Sequence, residues 1–434
     1  MTRFERQLLS FSSVLALAGT AALAEPQPTE SPPAPGAPAA EVPAPAPEPA
    51  IAAAPPASPV KPAPHKAAQP LNVTYDKGIE FATADRVFTT KLSLRTQFRF
   101  ESTRPLDPGS QFANRFFIAR SRAQLEGNVF GEDNRYKLEF GLGDKGSFSY
   151  VKDIYIDKAI GSSWIRVGQW KRPFNRQEIV SDFASEFNER ANTADYVGGG
   201  RDLGIAIHND YEKSPAGLEW VFGVFNGFSG GADRPVLTTT CTAGMTAIAC
   251  TTPAPLNYPA DWGPTLVGRL GWNSEGMKGY SEADLEGGPL RYAVGVAYKL
   301  DLANFDQGKE ASATDNLSHG LEADALIKVE GFDLELGAYM MKLKSASSTW
   351  GALAQAGYFV TPKHAQVAAR FAIVPAANDR RQLEVRGAFN WYWEGHRWKW
   401  MTDVGMVKLT GHDPTTMAAD DPDLQLRSTA QLLF

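Results

Sequence analysis

Thr90–Phe100 reads TKLSLRTQFRF, with Leu92, Leu94, Phe98 and Phe100 on one parity and Lys91, Ser93, Arg95, Gln97 and Arg99 on the other. Period two sends these sets to opposite faces of a strand. The pattern returns at once in Arg120–Val129, where Arg120, Arg122, Gln124, Glu126 and Asn128 alternate with Ala123, Leu125, Gly127 and Val129. Further segments of this kind are Arg135–Leu142, Val151–Ile160, Trp164–Phe174, Arg201–Asn209, Gly217–Asn226, Thr265–Trp272, Leu290–Leu300, His319–Val329, Phe332–Lys344, Trp350–Val360, His364–Val374, Arg381–Trp393, Arg397–Leu409 and Leu424–Phe434. Together they make sixteen strands, an even number, with about 23 residues for each strand and its connection, as a single-chain antiparallel transmembrane β-barrel requires.

The connections carry the same message. Even-numbered links are short, as in Gly131–Asn134, Gly161–Ser163, Glu330–Gly331 and Glu394–His396, whereas odd-numbered ones include Glu101–Asn114, Asn175–Gly200, Gly227–Pro264, Asp301–Ser318 and Thr410–Asp423. Short turns at one end and long loops at the other are the habit of outer-membrane barrels. Two links depart from it: Asn273–Pro289 is long for a turn, and Ser345–Thr349 is short for a loop. The last strand puts Leu424, Leu426, Ser428, Ala430, Leu432 and the terminal Phe434 on one face. A terminal phenylalanine of this kind resembles the signal read by outer-membrane assembly machinery. Trp391, Trp393, Trp398 and Trp400 gather around one turn, where an interfacial girdle belongs. A soluble propeller would show blade repeats, and none is found.

Composition is mild for a membrane protein: 434 residues, 43% hydrophobic, 21% charged, formal net charge −6. No run of about 20 apolar residues suits a spanning helix, and no strongly basic segment suits a nucleic acid. Residues 1–24 combine Arg3 and Arg6, an apolar run from Leu8 to Ala18 and the small-residue ending Ala22-Leu23-Ala24, which marks a secretory signal peptide. Residues 25–70 hold 16 of the 30 prolines and offer almost nothing to bury, so an extended, disordered Pro/Ala segment on the periplasmic side is expected. Residues 71–434 form the barrel domain. The two cysteines, Cys241 and Cys250, lie close together in the loop after strand seven, and in an oxidising compartment a local disulfide is expected. The six histidines show no metal-ligand spacing, and neither a metal nor a cofactor is expected.

Between Arg115 and Asn209 the strings FFIARSRAQLEGNVFG, YKLEFGLGD, VKDIYID, IRVGQWKRPF, FNER and GRDLGI resemble the phosphate-selective porin O and P family. The resemblance implies a homotrimer of 16-stranded barrels, each with a water-filled pore into which the loop after strand five folds. Here that loop would be Asn175–Gly200, with Glu178, Asp182, Glu186, Glu189, Arg190 and Asp195 at the constriction. It departs from the family's phosphate-specific members, whose constriction carries lysines: this loop is predominantly acidic and has none.

Parity sends Lys91, Arg95, Arg99, Arg120, Arg122, Arg166, Arg172, Arg386 and Arg427 into the lumen, together with Glu126, Glu139, Asp153, Asp157, Asp202 and Glu384. Nine basic groups against six acidic ones suggest an ion path with an anion preference. Arg95, Arg99, Arg120 and Arg122 could equally serve as salt-bridge partners along the wall. The expected function is passive diffusion of small hydrophilic solutes or inorganic anions, phosphate among them, through a bacterial outer membrane whose lipid contacts the barrel. Two other readings are an envelope tether acting through the Pro/Ala segment and an outer-membrane lipid hydrolase. The second lacks a convincing nucleophile motif, so the chain is read as a non-enzyme.

Overall fold

The computed structural model describes residues 70–106, 109–144, 151–197, 200–227, 240–243, 248–251, 264–302, 318–342, 348–376, 380–410 and 423–434. The expected signal peptide, residues 1–24, and nearly all of the Pro/Ala stretch lie outside them. Twenty strands are described: β1 (Leu71–Tyr75), β2 (Ile79–Thr83), β3 (Thr89–Pro105), β4 (Ala113–Asn128), β5 (Asn134–Asp144), β6 (Val151–Ile160), β7 (Ser163–Lys171), β8 (Arg201–His208), β9 (Gly217–Phe225), β10 (Thr240–Ala243), β11 (Ile248–Thr251), β12 (Thr265–Asn273), β13 (Arg291–Asp301), β14 (Ser318–Val329), β15 (Phe332–Lys342), β16 (Thr349–Thr361), β17 (Ala365–Pro375), β18 (Arg381–Glu394), β19 (Trp398–Thr410) and β20 (Asp423–Leu433). Two short helices, α1 (Arg176–Ile179) and α2 (Asn192–Val197), belong to the connection after β7.

Sixteen of these strands, β3–β9 and β12–β20, pair antiparallel with their neighbours in chain order, and β20 closes the ring on β3 with Leu433 opposite Arg95 and Asp423 opposite Pro105. The terminal residue completes the seam, because Leu94 and Phe434 exchange backbone hydrogen bonds of 2.7 and 2.9 Å. Closure leaves no sheet edge around the wall, the condition for crossing a bilayer with strands. Outward positions are apolar and exposed, among them Ile156, Leu203, Phe222, Val296, Phe371 and Val404. Trp391, Trp393, Trp398 and Trp400 are exposed near the end where β3 begins and β20 finishes, and Trp393 stacks on Trp398 with centroids 4.8 Å apart.

Three differences from the sequence reading stand out. The first two barrel strands are longer, since residues 101–105 and 113–119 extend the hairpin into both ends of the loop expected at Glu101–Asn114 and through residues 115–119; Arg115 and Glu101 pair across it at 2.8 Å. A hairpin, β1–β2, precedes the barrel, too short for its alternation to stand out from the Pro/Ala stretch before it. The cysteines fall in a second small hairpin, β10–β11, whose register sets Cys241 opposite Cys250; their side chains lie outside what is described.

Candidate functional site

The connection from 172 to 200 turns inward from its first residues. Pro173 cannot donate to a ladder, the Phe174 N–H closes a tight turn on the Arg172 carbonyl at 2.7 Å, and Asn175, at φ 69°, caps α1 by accepting the Gln177 N–H at 3.1 Å. The next anchor lies on another part of the wall. Backbone N–H groups of Asn175 and Arg176 donate to Glu322 on β14 at 2.5 and 2.7 Å, and Arg176 Nε donates to Asp324 at 2.5 Å. Arg269 on β12 holds the other side of Asp324 at 2.7 Å. Around this ionic anchor, Phe174, Ala191 and Val197 pack with Trp170, Phe225, Val267, Tyr339, Met341 and Leu353 into an apolar core inside the barrel.

The acidic residues of the connection face the arginines of β3 and β4. Glu189 binds Arg99 and Arg120, one through each carboxylate oxygen. Asp182 accepts from Arg122, sits 2.8 Å from Arg190 and 3.6 Å from Arg120. The Asn188 carbonyl takes Arg99 at 2.6 Å and Arg120 at 3.2 Å, while its amide groups donate to Asp403 on β19. Glu178 completes the group at 3.3 Å from Arg190. Burial alone would raise the Asp182 carboxyl, but Arg190, Arg120 and Arg122 hold it well below the usual carboxylate range. The Asp195 side chain lies outside the described residues.

At its lowest point the connection meets a second inward segment. Within the link that is too long for a turn, residues 280–284 fold into the barrel from the opposite end. The Glu186 N–H donates to Glu282 at 2.7 Å, the Glu282 N–H donates to the Ala184 carbonyl at 3.3 Å, and Gln355 bridges the two carboxyls at 3.0 and 2.9 Å. Gln366 donates to Glu186, Lys399 reaches the Ser185 carbonyl at 2.7 Å, and Gln431 reaches the Phe183 carbonyl at 2.9 Å. Gly357 makes room here, because a Cβ on it would collide with Glu186 Oε1. Burial, then the neighbouring Asp333 and Glu282, pushes the Glu186 carboxyl well above its ordinary value.

The remaining residues singled out by parity take varied positions. Arg166 forks onto Asp157 at 2.8 and 2.9 Å and reaches Glu212 at 3.0 Å; Arg386 pairs with Asp403 at 2.7 Å; Arg172 stands 3.9 Å from Asp202 and Arg427 stands 4.0 Å from Glu101. Lys91 and Arg95 are only half-buried, and Arg95 has one long contact, 3.9 Å to Glu139, with 21% of its side chain exposed. Sequence reasoning missed Arg176, Arg201, Arg269, Arg370 and Lys399, along with Glu219, Glu282, Glu322, Asp324 and Asp333. Among the described residues sixteen basic and fifteen acidic side chains are buried, a near balance that takes in residues outside the strands and leaves out the half-buried Lys91, Arg95, Glu126 and Arg427. Arg269 and Glu219 could have been found, as each shares parity with inward neighbours. Arg176 and Glu282 sit in connections, where parity does not apply.

No family model matches the chain, and no curated protein is similar to it, so the resemblance to the phosphate-selective porins is carried by the quoted strings alone. Solved structures do match. OprB of Pseudomonas putida aligns with a TM-score of 0.54 at 11% identity, covering 80% of this chain and 94% of that one. The anion-selective porin from Comamonas acidovorans gives 0.50 at 11% identity over 80% of this chain and all of its own, and OmpF of Salmonella typhi gives 0.50 at 11% over 83% and 100%. At such identity the likeness is one of fold. This chain's own closed sixteen-stranded barrel with an apolar outer belt is that of a bacterial outer-membrane protein.

Proposed function

We propose that the chain is a porin: a passive channel for small hydrophilic solutes across the outer membrane, narrowed by the connection between β7 and β8. The observation that carries this reading is the asymmetry of the lumen. The inward segments fill the side formed by β12–β17, where Arg269, Glu322 and Gln355 are buried to 1% exposure or less. The connection also docks on β3 and β4 through the buried Arg99, Arg120 and Arg122, but on the same strands Lys91, Arg95 and Glu126, with Lys137 on β5, keep part of their side chains exposed. Solutes pass between the tethered connection and this wall. Flux follows the gradient, and no covalent step is involved.

The wall next to the passage carries Lys91, Arg95 and Lys137 against Glu126, which supports a modest preference for inorganic anions such as phosphate. Arg99, Arg120 and Arg122 contribute less to that preference than their number suggests, because Glu189 and Asp182 neutralise them at short range. The homotrimer belongs to the same reading through the family resemblance. A Cys241–Cys250 disulfide is supported by their facing positions in β10–β11 and would pin that external loop.

The test is conductance of the purified protein in a planar bilayer under a salt gradient. Discrete steps with a reversal potential on the anion side are expected. Absence of steps would remove the channel, and a reversal potential on the cation side would remove the anion preference.

A further inference from the structure

The hairpin β1–β2 lies outside the closed ring and yet is joined to it. β20 covers β3 only from Arg95 upward, and β2 takes over the rest of that edge, pairing Ile79 with Leu92, Glu80 with Lys91, Phe81 with Thr90 and Ala82 with Thr89. The hairpin therefore continues the wall below Phe434, at the end where β3 begins and β20 finishes. Register then fixes its two faces. Val73 stands opposite Phe81 and Tyr75 opposite Ile79, so Leu71, Val73, Tyr75, Ile79 and Phe81 share the face of outward-pointing Leu92, while Asn72, Thr74 and Glu80 share that of inward-pointing Lys91. On the apolar face Leu71, Val73 and Tyr75 are 53%, 59% and 64% exposed. Phe130 in the adjacent β4–β5 turn is 86% exposed, and the Gly131 N–H ties that turn to the Val87 carbonyl at 2.9 Å.

We propose that this hairpin is a membrane-seated element, with its apolar face and Phe130 resting in the periplasmic leaflet against phospholipid. The inference rests on the outer-membrane reading above. What selects lipid as the occupant is continuity: the face is the downward extension of the belt that the barrel turns to the bilayer, beginning two residues below the Leu94–Phe434 seam. Its composition fits the interfacial zone, with Tyr75 and Phe130 as aromatic anchors and Lys77 exposed at the hairpin's turn to meet a headgroup phosphate, while Arg86 turns to Glu80 on the other face at 3.2 Å. Seated this way, the hairpin delivers residue 70 at the membrane surface.

Spin-label accessibility tests the proposal on the full mature chain in vesicles of phosphatidylethanolamine and phosphatidylglycerol. In a Cys241→Ser, Cys250→Ser background, single labels are placed by Val73→Cys, by Thr74→Cys on the opposite face, and by Val385→Cys on the barrel belt. The expected result is a shift at position 73 toward the belt value, accessible to oxygen and shielded from a water-soluble nickel chelate, with position 74 accessible to nickel. Position 73 matching position 74 would place the face in water and overturn the proposal. A label at 73 shielded from both relaxants would show a protein covering it, a second copy included, and would overturn it too. If the Val385→Cys label is itself accessible to nickel, the barrel is not in the bilayer, and the failure lies with the porin reading.

Discussion

The two halves of the lumen use the same chemistry to opposite ends. Along β12–β17, charged side chains are withdrawn from water and matched one against another: Arg269 holds Glu219 at 3.3 Å and Asp324 at 2.7 Å, and Arg176 holds Asp324 at 2.5 Å. On β3–β5, beside the buried Arg99, Arg120 and Arg122, a smaller set of charges stays within reach of solvent, with Arg95 and Lys137 both 21% exposed at the side chain. Charge in a barrel is therefore no measure of conduction. Fully desolvated pairs hold protein to protein, and only half-exposed ones are placed to act on a passing ion.

The largest effect should come from breaking the packed half. Arg176→Ala removes one of the two guanidiniums that hold the buried Asp324, a loss of about 3–5 kcal/mol for this class of pair, and leaves α1 on β14 only its backbone bonds to Glu322. Release of α1 from β14 should follow, seen as larger and noisier single-channel steps and as unfolding at lower temperature on heat-modifiability gels. Wild-type conductance with wild-type melting would show that this anchor does not hold the connection in place.

The joint change Asp182→Asn, Glu189→Gln attacks the boundary between the halves. It leaves Arg99, Arg120 and Arg122 without their carboxylate partners on the connection, so the reversal potential under a salt gradient should move strongly toward anion selectivity. An unmoved potential would place those arginines off the ion path. Gly357→Ala should act differently, through volume alone. Its methyl group must displace Glu186, Gln366 or Asp333 from hydrogen-bonded positions, at about 1–3 kcal/mol by the usual cost of overpacking, and melting should fall without a change in selectivity.

Much of this division is legible in the amino-acid sequence. Alternation in Thr90–Phe100 and its successors locates the ring, and the family resemblance singles out the connection that crosses it. Parity sends Arg120 and Arg122 inward but cannot say what they meet, because their partners Asp182 and Glu189 lie in a segment without periodicity. The anomaly at Asn273–Pro289 is visible as a length, while its cause is not: Glu282 reaches Glu186 only once both segments are folded inside. The hairpin β1–β2 escapes because five-residue strands beside a Pro/Ala tract give too little pattern to count.

Acid and alkali should distinguish the two attachments of the connection. Asp182 has its folded pKa depressed, so its contribution to docking is full above the ordinary aspartate range and is lost only as pH falls through the lowered value. Glu186 has the opposite sign: its folded pKa is raised, so the tip is held best with the carboxyl protonated, and that contribution is lost as pH rises through the raised value. Channel noise should accordingly change little at pH 4 and grow on the alkaline side. Glu186→Gln, which keeps a neutral side chain at every pH, should remove the alkaline growth. Noise that rises at pH 4 instead would mean that the arginine-held carboxylates, and not the tip, are the weaker attachment.

The smallest effect is expected on the open wall. Arg95→Ala removes a cation whose one ion-pair contact among the described residues is 3.9 Å long, so stability should stay within about 0.5 kcal/mol of wild type, as for exposed pairs. The reversal potential should still shift measurably toward cations, because the group stands beside the passage. Arg370→Ala gives the converse. That guanidinium donates to Gln355 at 2.8 Å and to the Glu189 carbonyl at 2.8 Å from a side chain with 0% exposure, so its removal should lower melting and leave selectivity near wild type unless the connection detaches. If the two variants exchange these outcomes, the passage runs along β17, and the assignment of packed and open halves must be reversed.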